Sequence, residues 1–382
     1  MRFPEFSGEW ESIKLGDVLK LKGGYAFKSE KFQDSGVPVV RISNLPQNSY
    51  SVDLSDCVYY ECGNYQNYTV KNGDLLIAMS GATTGKTAIY RYDYPAYLNQ
   101  RVGLFAPKEL VHNQFLYPIV ESKTFISQLG SKLVAGAQPN ISSQDIETIA
   151  VGLPSKEEQI KIAHLFELLN QKIETQTKII EELTTLRSAL LEKVFQVSNP
   201  TLEVGAIAHQ TSERNKLCRY SNVLSVSNRF GFINQSEQFE GRNVASDDVR
   251  NYKVVHRGDF AYNPARINVG SIAMLKNFES GIVSPMYICF QVDDTIVDPS
   301  FFELFLETKA FKDEMEIRLE GSVRRCLSFE ALCEIHLPRH ALLVQRSISD
   351  KIGNISSKIK LEDRILRSYI RQKEWLLRQM FI

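Results

Sequence analysis

In two stretches of the chain, apolar residues recur at spacings of four and three. The first seam reads Ile162, Phe166, Leu169, Ile173, Gln176, Ile180, Leu183, Arg187, Leu190 and Val194. This is the heptad of a coiled coil. It predicts a helix from 155 to about 196, roughly 60 Å long. The start, Ser155-Lys156-Glu157-Glu158, reads as a capping box, with Ser155 as N-cap and Glu158 reaching back to it. Adding 186 gives the second seam: Ile348, Ile352, Ile355, Ile359, Glu362, Leu366, Tyr369, Lys373, Leu376 and Met380. The same two seam positions are polar in both, Gln176 and Arg187 in the first, Glu362 and Lys373 in the second. Antiparallel pairing of the helices makes these residues a register device, with Arg187 facing Glu362 and Gln176 facing Lys373. The alternative is that all four snorkel to solvent.

Upstream of each seam the pattern changes to short apolar runs of strand type. In the first half these are Val37–Ile42, Asp74–Met79, Lys86–Tyr90 and Val102–Phe105; their counterparts are Val223–Val226, Asp259–Tyr262, Ser271–Leu275 and Met286–Val292. A short helix follows in each half, Gln114–Leu129 and Phe301–Arg318, and Leu153-Pro154 or Leu337-Pro338 closes the domain. The correspondence extends to single residues. Lys71-Asn72-Gly73-Asp74-Leu75 matches His256-Arg257-Gly258-Asp259-Phe260 at an offset of 185. Ser122-Lys123-Thr124-Phe125 matches Thr308-Lys309-Ala310-Phe311 at 186, and Arg41-Ile42-Ser43-Asn44 sits opposite Ser225-Val226-Ser227-Asn228 at 184. A period of about 186 residues is too long for a solenoid and means two copies of one large unit. The expected fold class is α+β: an α/β domain over 1–154, a helical region over 155–196, a second such domain over 197–338 and a second helical region over 339–382. The helices pair as an antiparallel coiled coil, and the repeat makes the chain pseudo-two-fold.

The chain has 382 residues, 43% of them hydrophobic and 24% charged, so it can bury substantial cores. Lys+Arg and Asp+Glu both number 45, which argues against holding nucleic acid by bulk charge alone. The charge is uneven. Residues 339–382 carry 10 basic against 4 acidic side chains, and residues 197–338 carry 15 against 19. The basic tail suits a partner protein or DNA phosphates, or is a solvated helix face. No apolar run approaches the ~20 residues of a membrane helix, and Met1-Arg2-Phe3-Pro4-Glu5-Phe6 has no apolar signal core. The six cysteines lack zinc-site spacing and read as reduced thiols of a cytoplasmic protein.

Catalytic constellations are hard to find. Ser80-Gly81-Ala82-Thr83-Thr84-Gly85-Lys86-Thr87 approaches a phosphate-binding loop. However, Ser80 replaces the first glycine, and the residues that follow are of strand type rather than helical. A Gly/Thr loop between strands that approaches a phosphate or base edge fits better. The six histidines do not recur between copies, and Asn263-Pro264-Ala265-Arg266 lacks the second proline and the aromatic residue of an amino-methyltransferase motif. Two copies without a shared catalytic group suggest a binding protein, not an enzyme.

The ordered motifs resemble those of the specificity subunit of type I restriction-modification systems. In the first copy they are Trp10-Glu11…Lys14-Leu15-Gly16-Asp17, Gly73-Asp74-Leu75-Leu76-Ile77, Ala137-Gln138-Pro139-Asn140-Ile141-Ser142 and Leu153-Pro154…Glu157-Glu158-Gln159…Ile162-Ala163. Gly258-Asp259-Phe260-Ala261-Tyr262-Asn263-Pro264-Ala265-Arg266 is the second-copy equivalent. The likeness runs through both halves, with two departures in the second: Val323-Arg324-Arg325-Cys326-Leu327-Ser328 at the Gln-Pro motif and Leu343-Val344-Gln345 at the helix start. The resemblance implies two target-recognition domains that each read one half of a split, asymmetric sequence in double-stranded DNA. The helices act as a spacer and dock two modification (methyltransferase) subunits, which restriction subunits join. S-adenosylmethionine, ATP and Mg then belong to the partner subunits, with no cofactor in this chain.

Base edges are read by Arg, Lys, Asn and Gln, and phosphates are held by Lys, Ser, Thr and backbone N–H. On that basis the candidate DNA contacts of the first domain are Lys22, Tyr25, Lys28, Arg41, Ser43, Asn44, Thr83, Thr84, Lys86, Asn99, Gln100, Arg101, Gln138 and Asn140. Those of the second are Asn228, Arg229, Asn263, Arg266, Asn268, Arg324 and Arg325. Taken singly, such residues also serve as turn formers or solvated charges. The rival readings are a coiled-coil scaffold that touches no DNA, a phosphate-loop enzyme, and a stand-alone DNA-binding regulator.

Overall fold

The computed structural model describes residues 2–46, 50–134, 140–196, 200–238, 248–321 and 325–381. The chain divides into two compact units, Met1–Ile180 with Glu362–Ile382, and Glu181–Leu361. The fold is α+β, and no sheet among the described residues closes into a barrel.

The first unit runs β1 (Glu11–Lys14), α1 (Leu15–Val18), β2 (Leu19–Gly23), β3 (Val37–Val40), β4 (Val58–Tyr60), β5 (Thr69–Val70), β6 (Leu75–Ala78), β7 (Thr87–Ile89), β8 (Ala96–Leu98) and β9 (Val102–Pro107). Then come α2 (Leu116–Glu121), α3 (Lys123–Val134), α4 (Ser143–Glu147), β10 (Ala150–Leu153) and the long α5 (Lys156–Val194). The strands form an antiparallel sheet in the order β2-β9-β6-β7, a mixed sheet β4-β3-β8-β5 and the pair β1-β10. All four residues of β6 are buried. Alternation along the strand explains this: Leu75 and Ile77 enter the core that includes α2 and α5, while Leu76 and Ala78 enter the core beneath β3 and β8.

The second unit repeats much of this plan with β11 (Thr201–Glu203), β12 (Ala208–Thr211), β13 (Leu224–Ser227), β14 (Gly231–Asn234), α6 (Gln235–Gln238), β15 (Lys253–His256), β16 (Phe260–Tyr262), β17 (Ile272–Met274), β18 (Ser280–Val283) and β19 (Ile288–Val292). It continues with α7 (Pro299–Leu306), α8 (Lys309–Arg318), α9 (Phe329–Cys333), β20 (His336–Pro338) and α10 (Leu342–Met380). Its main sheet, β12-β19-β16-β17, has the order of the main sheet of the first unit.

The expected helices Gln114–Leu129 and Phe301–Arg318 are each two helices. The break falls at equivalent buried hydroxyls. Ser122 Oγ donates to Ile119 O at 2.6 Å and accepts from Phe125 N. Thr308 Oγ1 donates to Phe305 O at 2.7 Å and accepts from Phe311 N. Each hydroxyl thus closes one helix and N-caps the next. The capping box at Ser155 is half formed: Glu158 N donates to Ser155 Oγ. The Glu158 carboxylate is turned inward and taken in a fork by Arg2, at 2.7 and 2.5 Å, because a fully buried carboxylate needs a cation.

The apolar seams are used on both long helices. In the first unit Ile162, Phe166 and Leu169 share a core with Leu376, Leu377, Met380 and Phe381, so α5 and α10 run antiparallel there. In the second, Leu191 and Phe195 share a core with Ile352, with Ile348 packed against it. The polar seam residues are paired, but not as Arg187–Glu362 and Gln176–Lys373. Gln176 Nε2 donates to the Glu362 carboxylate. Arg187 reaches Glu307, at the end of α7, at 2.7 Å and Ser356 at 2.8 Å. Lys373 reaches Glu121, at the end of α2, at 2.6 Å. Arg187 and Lys373 thus take the carboxylates that the shorter helices bring to the seam. Gln176 meets its own repeat equivalent.

Candidate nucleic-acid interface

In the first unit the candidate residues gather around the C-terminal end of β6. After Met79 the chain turns through a 3₁₀ segment, Gly81–Thr83, and enters β7. Gly81 and Gly85 hold φ of +80° and +88°, a region that favours glycine. A strand follows where a phosphate-binding loop requires a helix, so the phosphate-loop reading has no structural support. Met79 joins the neighbouring segments: its N–H donates to Arg101 O and its carbonyl accepts from Ile141 N, both at 2.9 Å. Ser80 bridges to Asn140. Ser80, Gly81, Gln100, Arg101 and Asn140 therefore line one open depression of about 600 Å³, with Met79 and Ile141 completing its wall. Ser80 Oγ and Thr83 Oγ1 are enclosed and lack hydrogen-bond partners among the described residues, which leaves two hydroxyls for a ligand.

The end of β2, with Lys22, and the loop after it, with Tyr25 and Lys28, abut this rim. Tyr25 N donates to Leu98 O at 2.8 Å, and Gln100 N donates to Tyr25 O at 2.9 Å. Gly24 makes the approach possible, since a Cβ there would stand 2.1 Å from Asn99 O. Lys22 and Lys28 are exposed. Tyr25 is 39% exposed and rests on Phe27, Tyr65 and Tyr68, with ring centroids 5.0–5.2 Å away. Thr84 and Lys86 are half-buried and Ser43 is exposed. Arg41 is half-buried and reaches Asp56 O.

Asn44 departs from expectation. It is 3% exposed, accepts from Arg41 N at 2.9 Å and donates to Asp53 O at 2.9 Å. It braces a turn and has no face for DNA. Its proposed counterpart, Asn228, is exposed, so that recurrence does not carry a shared role. Gln138 and Arg324 lie outside the described residues.

In the second unit the same corner follows β16. Leu327 N donates to Pro264 O at 3.2 Å, the counterpart of the Ile141–Met79 bond. Asn263 Oδ1 accepts from Ala265 N, an Asx turn that sets Arg266 on the surface. Arg266 and Asn268 are exposed on the 3₁₀ turn Ile267–Val269, which ends at Gly270 with φ +88°. The tip of the β13–β14 hairpin carries exposed Asn228 and Arg229 and lies against this turn: a Cβ on Gly270 would be 3.4 Å from Asn228 Cβ. Arg325 is exposed beside the Glu320–Cys326 bridge. Sequence reasoning missed Phe230, which is 66% exposed at the hairpin tip. The signal was present, in a Ser-Asn-Arg-Phe-Gly turn between two strand-type runs.

The helix starts match closely. Gln159 accepts from His112 N and donates to Leu110 O and Pro154 O. Gln345 accepts from Asp298 N and donates to Ile296 O and His340 O. Each partner lies 186 residues from its equivalent, although Glu157-Glu158 has become Leu343-Val344.

Residues 7–185 match the family model of the type I restriction modification DNA specificity domain. The match covers just under half of the chain and makes this stretch similar to that domain. Among curated specificity subunits, that of the type I restriction enzyme MjaVIII of Methanocaldococcus jannaschii is 28% identical over 193 residues, 49% of this chain and 45% of the relative. That of EcoAI of Escherichia coli is 31% identical over 169 residues, 42% of this chain and 28% of the relative. The aligned part of the chain thus spans less than half the length of either relative. A solved specificity subunit from M. genitalium superposes over 100% of this chain and 99% of its own, with a TM-score of 0.65 and 15% identity. A chain from a study of complex assembly and conformational transition of the type I system matches with a TM-score of 0.52, also at 15% identity. At that identity the likeness is one of fold. The matched residues 7–185 include the whole lining of the depression around Ser80, Gln100 and Asn140.

Proposed function

We propose that this chain is the DNA sequence-recognition subunit of a type I restriction-modification complex. It reads a split, asymmetric target with domains 1–154 and 197–338. The helices 155–196 and 339–382 pair as an antiparallel coiled coil that spaces the domains and docks two modification subunits and the restriction subunits. One observation carries this reading. The two units share a framework, seen in the equal order of the main sheets and the matched contacts of Gln159 and Gln345, yet the rims beside Met79 and Pro264 present different Arg, Lys, Asn and Gln side chains. Equal frames with unequal rims suit two base sequences read by one architecture. Zero net charge fits a subunit whose affinity is completed by its partners. The chain is not itself a catalyst in this scheme. S-adenosylmethionine, ATP and Mg act on the partner subunits, and the complex works in the prokaryotic cytoplasm. Among the described residues no helix is long and apolar enough to cross a membrane.

The test is to sequence methylated adenines in DNA from a host expressing this chain with the neighbouring methyltransferase subunit, against a host lacking the chain. A split, asymmetric motif that vanishes without the chain is the expected result. An unchanged methylation pattern would overturn the reading in favour of a scaffold. Arg266→Ala is expected to relax specificity in one half of the motif only, read from the same sequencing.

A further inference from the structure

The hairpin of the second unit is built to hold one ring rigidly in solvent. Its strands pair from Leu224↔Asn234 to Ser227↔Gly231, leaving a three-residue loop of Asn228, Arg229 and Phe230. Ser227 Oγ accepts from Arg229 N and Phe230 N at 3.2 and 3.4 Å, and Gly231 takes φ +66° to close the turn. The base is anchored as well, since Ser271 Oγ donates to Val226 O at 3.0 Å and a Cβ on Gly231 would touch Ala273. Short loop and fixed base together pre-organise the tip.

Phe230 joins no apolar core among the described residues. It is 66% exposed, and among the described residues its ring stacks on no other ring; Arg229 sits over it at 5.8 Å. The contrast with Tyr25 of the first unit is sharp, because that ring is backed by three others. Beside Phe230 lie Asn228 and Arg229, with Arg266, Asn268 and the 52%-exposed Val269 on the adjoining turn. An apolar point ringed by guanidinium and amide groups has the chemistry of side chains that enter between stacked bases while their neighbours hold phosphates and base edges.

We propose that Phe230 is a wedge that inserts at a base step of the half-site read by the second unit, unstacking and bending the duplex there. This rests on the DNA-recognition reading above. The wedge makes that half-site selective for a deformable step, by the energy of distortion as well as by direct contacts.

The experiment uses the full chain assembled with its modification subunits and a duplex carrying the motif found by methylation sequencing. Dyes at the duplex ends report bending, and 2-aminopurine placed at successive positions reports unstacking. Wild type is expected to bend the duplex and raise 2-aminopurine fluorescence at one step. Phe230→Ala should abolish that rise, at least halve the bend and weaken binding on the order of tenfold. Phe230→Leu should keep most of all three, and thermal stability should be unchanged in both. Unchanged bending and unstacking in Phe230→Ala would overturn the proposal. So would a wild-type complex that binds without unstacking any step. Loss of subunit assembly with DNA binding intact would make the tip a protein contact and overturn it equally. If wild type binds the motif duplex no better than a scrambled one, the recognition reading itself falls, and the wedge with it.

Discussion

Two ion pairs stand 186 residues apart and differ in what surrounds them. In the first unit Lys373 meets Glu121 at 2.6 Å, with the two side chains 4% and 19% exposed. The ammonium also lies 3.5 Å from the Tyr50 ring centre and 5.1 Å from that of Tyr117, whose hydroxyl donates to Glu121. In the second unit Arg187 meets Glu307 at 2.7 Å, but the side chains are 20% and 45% exposed. The topology of contact is the same and the dielectric setting is not. Burial pushes Lys373 down to about 8 and Glu121 up, against the pull of their mutual attraction. The lesson is that a repeated contact is not a repeated energy: the buried pair pins α10 to α2 in the first unit, whereas water shares the work in the second.

The largest way to break this comparison is Lys373→Ala. It leaves Glu121 buried without a cation and should cost about 3–5 kcal/mol of unfolding free energy in denaturant titrations. The pair Lys373→Met with Glu121→Gln should recover most of that loss. Next come the two glutamines, where the surroundings are matched. Gln159→Ala and Gln345→Ala each orphan one main-chain N–H and two carbonyls. Each should cost about 2 kcal/mol, and the two losses should agree to within roughly 0.5 kcal/mol. A clear inequality would show that the frames are less alike than their hydrogen bonds.

A pH series sharpens the contrast further. The folded chain releases the Lys373 proton at about 8, whereas the unaltered side chain does so at 10.5. Between those values the unfolded chain holds the extra proton, so stability rises with pH. Wild type should therefore gain on Lys373→Met, by about 1–2 kcal/mol, when unfolding is compared at pH 7.5 and 9.5. The smallest effect is expected from Arg187→Ala. An exposed pair of this kind is worth less than about 1 kcal/mol, and its loss should fade further in high salt.

Elements with a regular period were legible before any coordinates. The seams from Ile162 and Ile348 are buried over Ile162–Gln176 and at Ile352, Glu362, Lys373, Leu376 and Met380 and half-buried elsewhere, and the expected strands differ by a residue or two at their ends. Contacts that join distant segments were not legible. Nothing near Glu158 in the sequence announces Arg2 as its partner, and nothing near Arg187 announces Glu307. The breaks at Ser122 and Thr308 were readable in principle, since a small hydroxyl residue three before a phenylalanine is an N-cap signal, but apolar periodicity on both sides concealed them. In the candidate interface, residue type alone could not separate Asn44, consumed by its own turn, from exposed Asn228. An amide serves either purpose, and the surrounding carbonyls decide which.

One packing detail bears on how the chain comes into being. Phe381 sits against Trp10, Phe115 and Phe166, with ring centroids 5.4–6.3 Å apart. The second unit is complete by Leu361, whereas the first needs the last residues of the chain. At roughly 5–20 residues per second, the portion of the first unit that emerges earliest waits some tens of seconds on the ribosome for its closing helix. During that interval the apolar floor under Trp10 and Phe115 is open to water, to chaperones and to other nascent chains.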